Sequence, residues 1–286
     1  MKQVEYLITL LVLAGLTLAG TSCTTIKLSV PERFSAQATS MHVKGLNGWM
    51  LHQKLSFGQF QTSPVKRGWN ITSAQTDRPA GISIEDQLLK VFNIERSSIT
   101  VNQKNKYQFT VQDGNQVTEI FCMEKLTKEQ LVIKTNNRWL GDTYDTRNYR
   151  YSFTAAILPL KVKDDAPWQL VLYSNYDKEK DTARRFFDLP YLEEEGYVTN
   201  GTETITIKPL RIQQFVTKDG REAKFPVKMM SGYELRVEDG LVAIIDSFDN
   251  NVWMYNQLDA DTKLLLAAIS SALMLRKIQD SMINAG

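Results

Sequence analysis

From about residue 37 to Tyr255 the chain alternates apolar and polar positions, rich in β-branched and aromatic residues and interrupted by Gly, Asn and Asp turns. Successive side chains of an extended strand point to opposite faces, so this period of two predicts half-buried antiparallel strands. The clearest product is a hairpin. Tyr107, Phe109 and Val111 share one face of its first strand, Asp113-Gly114-Asn115 form the turn, and the second strand holds Val117, Glu119 and Phe121.

Downstream, Tyr151, Phe153, Ala155 and Ile157 alternate, and Trp168 to Tyr173 follows the loop Lys163-Asp164-Asp165-Ala166-Pro167. Ile205 to Ile207 and Ile212 to Val216 continue the pattern, with a turn at Lys218-Asp219-Gly220-Arg221 leading into Ala223 to Met229. Pro226 lacks a ladder donor and confines that segment to an edge. Glu238-Asp239-Gly240 and Asn250-Asn251 supply two more turns. With Met41 to Lys44 and Met50 to Phe57, on the order of a dozen strands are expected. Short connections among them predict a mainly β fold: an antiparallel sandwich, curved sheet or partly open barrel.

Two helices interrupt the alternation, making the fold α+β by content. Ser83 can cap a short helix to about Val91, with Glu85 and Asp86 in its first turn. A stronger one runs from about residue 262 to 282, capped by Asp259 or Asp261. Leu265, Leu266, Ile269, Ala272, Leu273 and the stem of Arg276 give it an apolar face, predicted to pack on an open face of the sheet. By contrast Phe186 to Gly196, with Pro190 and the acidic run Glu193-Glu194-Glu195, predicts a surface excursion.

The N-terminus obeys different rules. Lys2 precedes an apolar run from Leu7 to Ala19, and Gly20, Thr21 and Ser22 lead into Cys23. A run of about a dozen residues is short of the roughly 20 that a helix needs to cross a bilayer, and suits a secretory signal. Residues 1–22 are therefore expected as signal peptide, Cys23 as the site of lipidation, 23–36 as lipid anchor and tether, and 37–286 as one β-rich domain. Gly20 stands where a lipoprotein signal usually has Leu, and the same bond suits ordinary cleavage, so a soluble periplasmic product is the alternative. An exposed N-terminal thiol in an oxidising compartment favours lipidation.

Removal of the signal leaves about 264 of 286 residues, enough for a large core. A formal charge of +2 gives no reason to expect nucleic acid as a partner. The expected partners are the membrane, through the N-terminal lipid, and a hydrophobic ligand or envelope protein. Cys122 is the only cysteine besides Cys23, so a disulfide framework is excluded; with Cys23 lipidated Cys122 is expected as a small buried residue in a strand, and a Cys23–Cys122 bridge belongs only to the alternative without lipid.

Candidate chemistry is sparse. His42 and His52 are the two histidines, without the further ligands that zinc requires, and Gly-x-Ser-x-Gly does not occur. Asp246, Asp249, Asn250 and Asn251 gather oxygen atoms, but at the spacing of a tight turn and not of a calcium loop. Catalytic, metal and cofactor residues are accordingly assigned to none. Trp49, Phe57, Phe60 and Trp69 crowd one segment and suit either core filling or contact with a ligand, and Gly58 among them suggests a bulge or close backbone approach. Lys66-Arg67 suggests a solvated strand end.

The stretch Phe57-Gly58-Gln59-Phe60-Gln61-Thr62-Ser63-Pro64-Val65-Lys66-Arg67-Gly68-Trp69 resembles a signature of uncharacterised lipoproteins of the Gram-negative envelope. The ending, from Gly232-Tyr233-Glu234-Leu235 through Val252-Trp253 to Leu264 to Leu275, is similar to the ending of that group. The resemblance implies envelope localisation, facing the periplasm, and no assigned activity. The expectation is a non-enzymatic binding or accessory module near the membrane that carries a hydrophobic ligand. Two alternatives stand beside it: an envelope hydrolase with His52 or an acid as base, and a structural subunit of an outer-membrane complex.

Overall fold

The computed structural model describes residues 30–46, 52–68, 70–77, 94–135, 143–160, 166–177, 193–216, 222–238 and 240–276. The signal segment, Cys23, Trp49, Trp69 and the expected helix from Ser83 to Val91 lie outside them. In chain order the elements are α1 (Glu32–Ser35), β1 (Ala38–His42), β2 (Ser56–Phe57), β3 (Phe60–Thr62), β4 (Lys66–Arg67) and β5 (Ile71–Asp77). There follow β6 (Ile94–Gln112), β7 (Val117–Thr135), β8 (Thr143–Pro159), β9 (Trp168–Asp177), β10 (Glu193–Thr199) and β11 (Thr204–Val216). The last described elements are β12 (Glu222–Val237), β13 (Gly240–Asp246), β14 (Asn251–Tyr255) and α2 (Ala260–Met274).

All fourteen strands join one antiparallel sheet in which β6 to β14 run as an uninterrupted meander. β1 adds beside β14, β3 and β2 add beside β6, and β4 and β5 pair further along β6. Among the described residues the two ends of the sheet meet at one bridge, with Lys44 and Ser56 exchanging backbone hydrogen bonds of 2.9 and 3.1 Å. Gly45 permits that approach: its φ is +91°, and a Cβ there would lie 1.9 Å from the Lys54 carbonyl oxygen. The result is a nearly closed antiparallel barrel, the third of the expected architectures.

Alternation decides what faces inward. Tyr107, Phe109 and Val111 of β6, Ile120 and Cys122 of β7, and Tyr151, Phe153 and Ile157 of β8 are all buried. Phe121 lies on the other face of β7 and is 41% exposed. The β6–β7 hairpin is longer than its apolar centre suggests, with paired register from Gln112↔Val117 out to Ile94↔Thr135. Outward positions hold exposed Lys104, Lys106, Lys125 and Arg150, charges costly against lipid and suited to water. No helix among the described residues is long and apolar enough to cross a membrane.

Helix α2 corrects two expectations. It begins as predicted, with Asp259 accepting from the Thr262 amide at 2.8 Å and the Thr262 hydroxyl at 2.7 Å. It stops at Met274, well short of 282. Nor does it lie on an open face: every residue from Leu266 to Leu273 is buried, and α2 packs against β3, β6, β7, β8 and β14. A helix buried all round sits inside its domain. Leu264, Leu266, Ile269, Leu273 and Leu275, each at most 4% exposed, contribute roughly 1.5–3 kcal/mol apiece by leaving water. Displacing the helix to admit a ligand would forfeit an amount comparable to the whole stability of a domain, about 5–15 kcal/mol. The barrel is filled by its own C-terminal segment.

Smaller differences have local causes. The folded body starts inside the segment expected as tether, because α1 buries Phe34. Gly58 occupies the two-residue turn between paired Phe57 and Phe60, at φ +52°, and makes the close approach without a bulge. Its Cβ position lies 2.4 Å from the Met41 sulfur. Pro226 falls in the interruption of the β11–β12 ladder between Lys224 and Met229, where a missing amide costs least. Lys218 to Arg221 lies outside the described residues, although Val216 pairs Glu222 on either side of it.

Candidate functional site

Helix α2 ends inside the barrel, and that end dictates the chemistry around it. The last carbonyls of a helix lack intrahelical partners, and a buried end has little water to supply them. Three side chains do so. The Tyr107 hydroxyl donates to the Ala272 carbonyl at 2.7 Å, Arg67 Nη2 donates to the Leu275 carbonyl at 3.0 Å, and Arg276 Nε donates to the Leu273 carbonyl at 3.1 Å. Both cations stand at the negative end of the helix dipole.

Arg276 is 4% exposed, so its charge requires compensation. Nη1 donates to Glu194 Oε1 at 2.9 Å, and Nη2 donates to the Tyr233 hydroxyl oxygen. Tyr233 in turn donates to Glu194 at 3.1 Å. The guanidinium lies 5.0 Å from the Tyr233 ring centroid and 5.6 Å from that of Phe153. Register explains the convergence: Tyr151 faces Ser174, and Ser174 faces Glu194, along one row of inward positions across β8, β9 and β10. The acidic run expected at the surface is thus a strand whose central Glu194 turns inward. Likewise Lys66 is exposed as expected, while Arg67 turns in, with Nη2 also donating to Gln53 at 3.0 Å and its guanidinium 5.0 Å from the Tyr107 ring.

Beside this layer the fully buried Glu124 accepts from Asn105 at 2.9 Å. Burial pushes the phenols of Tyr107, Tyr149 and Tyr151 and the thiol of Cys122 up, keeping them neutral near pH 7. A thiol so shifted is a poor nucleophile, in accord with the expected structural role for Cys122. Among the described residues the hydroxyls of Tyr151 and Ser174 and the Nε and Nη1 of Arg67 meet no hydrogen-bond partner, a pattern that ordered water satisfies in most proteins. The layer accounts for itself as the cap of a buried helix.

A second feature lies on the outside of the barrel. In the middle of the outer face of β8, between Arg150 and Leu158, the side chains are small: Ser152, Thr154 and Ala156. Their cross-strand neighbours are larger, with Phe121 opposite Ala156, Met123 opposite Thr154, and Val171 on the far side of Thr154. Large walls beside a small floor leave a groove of about 710 Å³ across β4, β6, β7, β8 and β9. Phe121 and Met123, 41% and 39% exposed, form its apolar centre. Exposed Lys66 and Lys106 stand at one end. This volume is within the roughly 300–1,000 Å³ of small-molecule sites. A smaller hollow of about 280 Å³ opens at the N-terminal end of α2, beside Leu265 and Trp168.

The residues singled out in the sequence do not converge. His42 bonds Asn251 Oδ1 through Nδ1 at 3.1 Å on the barrel surface, and His52 is exposed at φ +51° beyond the Lys44–Ser56 bridge. Phe57 and Phe60 are core residues with ring centroids 5.6 Å apart. Asp246 accepts from the amides of Phe248 and Asp249, closing the turn into β14. Among the described residues no group of three His, Cys, Asp or Glu is placed to hold a metal ion. The groove residues were missed, although the small outward positions 152, 154 and 156 between bulky neighbours were a usable signal. No protein-family model, curated protein or solved structure matches this chain.

Proposed function

We propose that this chain is a non-enzymatic envelope lipoprotein, anchored through Cys23 and facing the periplasm, that acts as a binding module for a hydrophobic ligand near the membrane. The outer groove carries this reading. An exposed Phe and Met side by side over a floor of small residues cost solvation unless something covers them. An interior occupied by α2 supports a site on the outside of the barrel, and a lipid at Cys23 would keep the groove close to a source of apolar molecules.

The test uses Nile red, a neutral apolar dye, with the mature protein. Fluorescence enhancement that saturates with protein and is lost in Phe121→Glu and Met123→Glu supports the reading. Both side chains are partly exposed, so both variants should keep the wild-type denaturation midpoint. An enhancement unchanged in both overturns it. Intact mass of the N-terminal peptide from native membranes checks the anchor: an acyl adduct on Cys23 is expected, and a free Cys23 defeats that part.

A further inference from the structure

The groove has one feature that an apolar ligand alone does not use. Its floor and walls, from Phe121 to Val171, present no charged side chain, yet the end over β4 and β6 is flanked by the exposed lysines 66 and 106. Register places them together. Lys66 pairs Gln108, which pairs Phe121, while Lys106 pairs Met123 directly. Each lysine therefore heads a row that continues without charge: the amide of Gln108, then Phe121 and Ala156, after Lys66, and Met123, Thr154 and Val171 after Lys106. Across β4, β6, β7, β8 and β9 the four interstrand steps span roughly 19 Å, the reach of a long alkyl chain laid across the strands.

We infer that the groove takes a single-chain anionic amphiphile, a long-chain fatty acid, with its carboxylate between Lys66 and Lys106 and its chain over Phe121, Met123 and Val171. This rests on the groove being the binding site of the proposed function and adds the polarity and direction of the ligand. Lysine suits the role, since a flexible stem can cover the first methylenes while its ammonium meets the carboxylate in water. Glu119 and Lys125 flank Phe121 and Met123 along β7, to the sides of the rows, so the direction comes from the two lysines at the rows' head.

The experiment compares palmitic acid with hexadecanol as competitors of Nile red, in wild type and in the double variant Lys66→Gln/Lys106→Gln. Wild type should prefer the acid about five- to tenfold, the double variant should lose that preference, and hexadecanol should bind both proteins alike, consistent with exposed charge pairs of modest worth. The acid preference should also shrink as salt is raised. Equal affinity for acid and alcohol in wild type, or a preference that survives the double substitution, overturns the inference while leaving the groove as an apolar site. Failure of Nile red to bind at all would instead strike the proposed function.

Discussion

Arg276, two residues beyond helix α2, donates to Glu194 of β10 across 2.9 Å, with both side chains almost wholly withdrawn from water. The pair joins the residue after the C-cap of α2 to β10 and holds the helix at its depth. Taking one partner away leaves a buried charge without compensation, which typically costs about 3–5 kcal/mol. Arg276→Met and Glu194→Leu are each expected to lower stability in that range. The double variant should be less destabilised than the sum of the two. A double-mutant cycle by urea denaturation measures this, and strict additivity would show that the two groups do not act as a pair.

Tyr107 tests the capping argument separately. Tyr107→Phe keeps the ring and removes the hydroxyl that meets the Ala272 carbonyl. Leaving that buried acceptor unmet should cost about 1–3 kcal/mol. A loss below about 0.5 kcal/mol would mean that water replaces the hydroxyl there.

At the other end of the helix, stability should depend on pH through Asp259. Hydrogen bonds from the Thr262 amide and hydroxyl hold its carboxyl below the ordinary range. A carboxyl lowered on folding adds stability that is present above its unfolded value, about pH 4, and is lost as pH falls through the lower folded value. Asp259→Ala should therefore cost about 0.5–2 kcal/mol at pH 7. The gap between wild type and variant should narrow below about pH 4. A gap that is equal at pH 7 and pH 3 would rule out the charged cap.

The barrel seam depends on Gly45. Gly45→Ala meets both a backbone conformation that L side chains rarely adopt and the Lys54 carbonyl. A positive φ alone costs on the order of 1–3 kcal/mol. The bridge should open locally, so hydrogen exchange at the Lys44 and Ser56 amides should speed up more than exchange at Phe109 or Ile120 in the meander. Uniform acceleration would instead indicate global loss of stability.

Much of the architecture was legible because antiparallel meanders write their signals locally. Alternation along β6, β8 and β9, the turn at Asp113 to Asn115, the short turns before β13 and β14, and the Asp259 cap all act within a few residues. The break in pairing at Pro226 was equally visible, because a missing amide limits a strand wherever it lies, although β12 as a whole runs between β11 and β13 and not along an edge. The environment of the helix was harder. Leu265, Leu266, Ile269 and Leu273 announce an apolar helix, but small residues such as Ala267, Ala268, Ser270 and Ser271 are compatible with either solvent or a tight barrel wall.

The polar layer, and which face of the sheet carries the groove, were out of reach for a related reason. Glu194 and Arg276 are separated by 82 residues, and nothing near either one specifies the other. Their meeting follows from strand register and from the depth at which α2 enters the barrel. Phe121 shares its strand with Ile120 and Cys122, so the sequence alone could not say which of these faced water. The sequence by itself determined the period of the strands, their turns and the start of the C-terminal helix, because these rest on steric preference and hydrogen bonds between near neighbours. Closure through Lys44 and Ser56, the helix as filling, the inward turn of Glu194 and Arg67, and the outer groove were decided only in the tertiary structure, since each depends on which distant surfaces the curved sheet brings together.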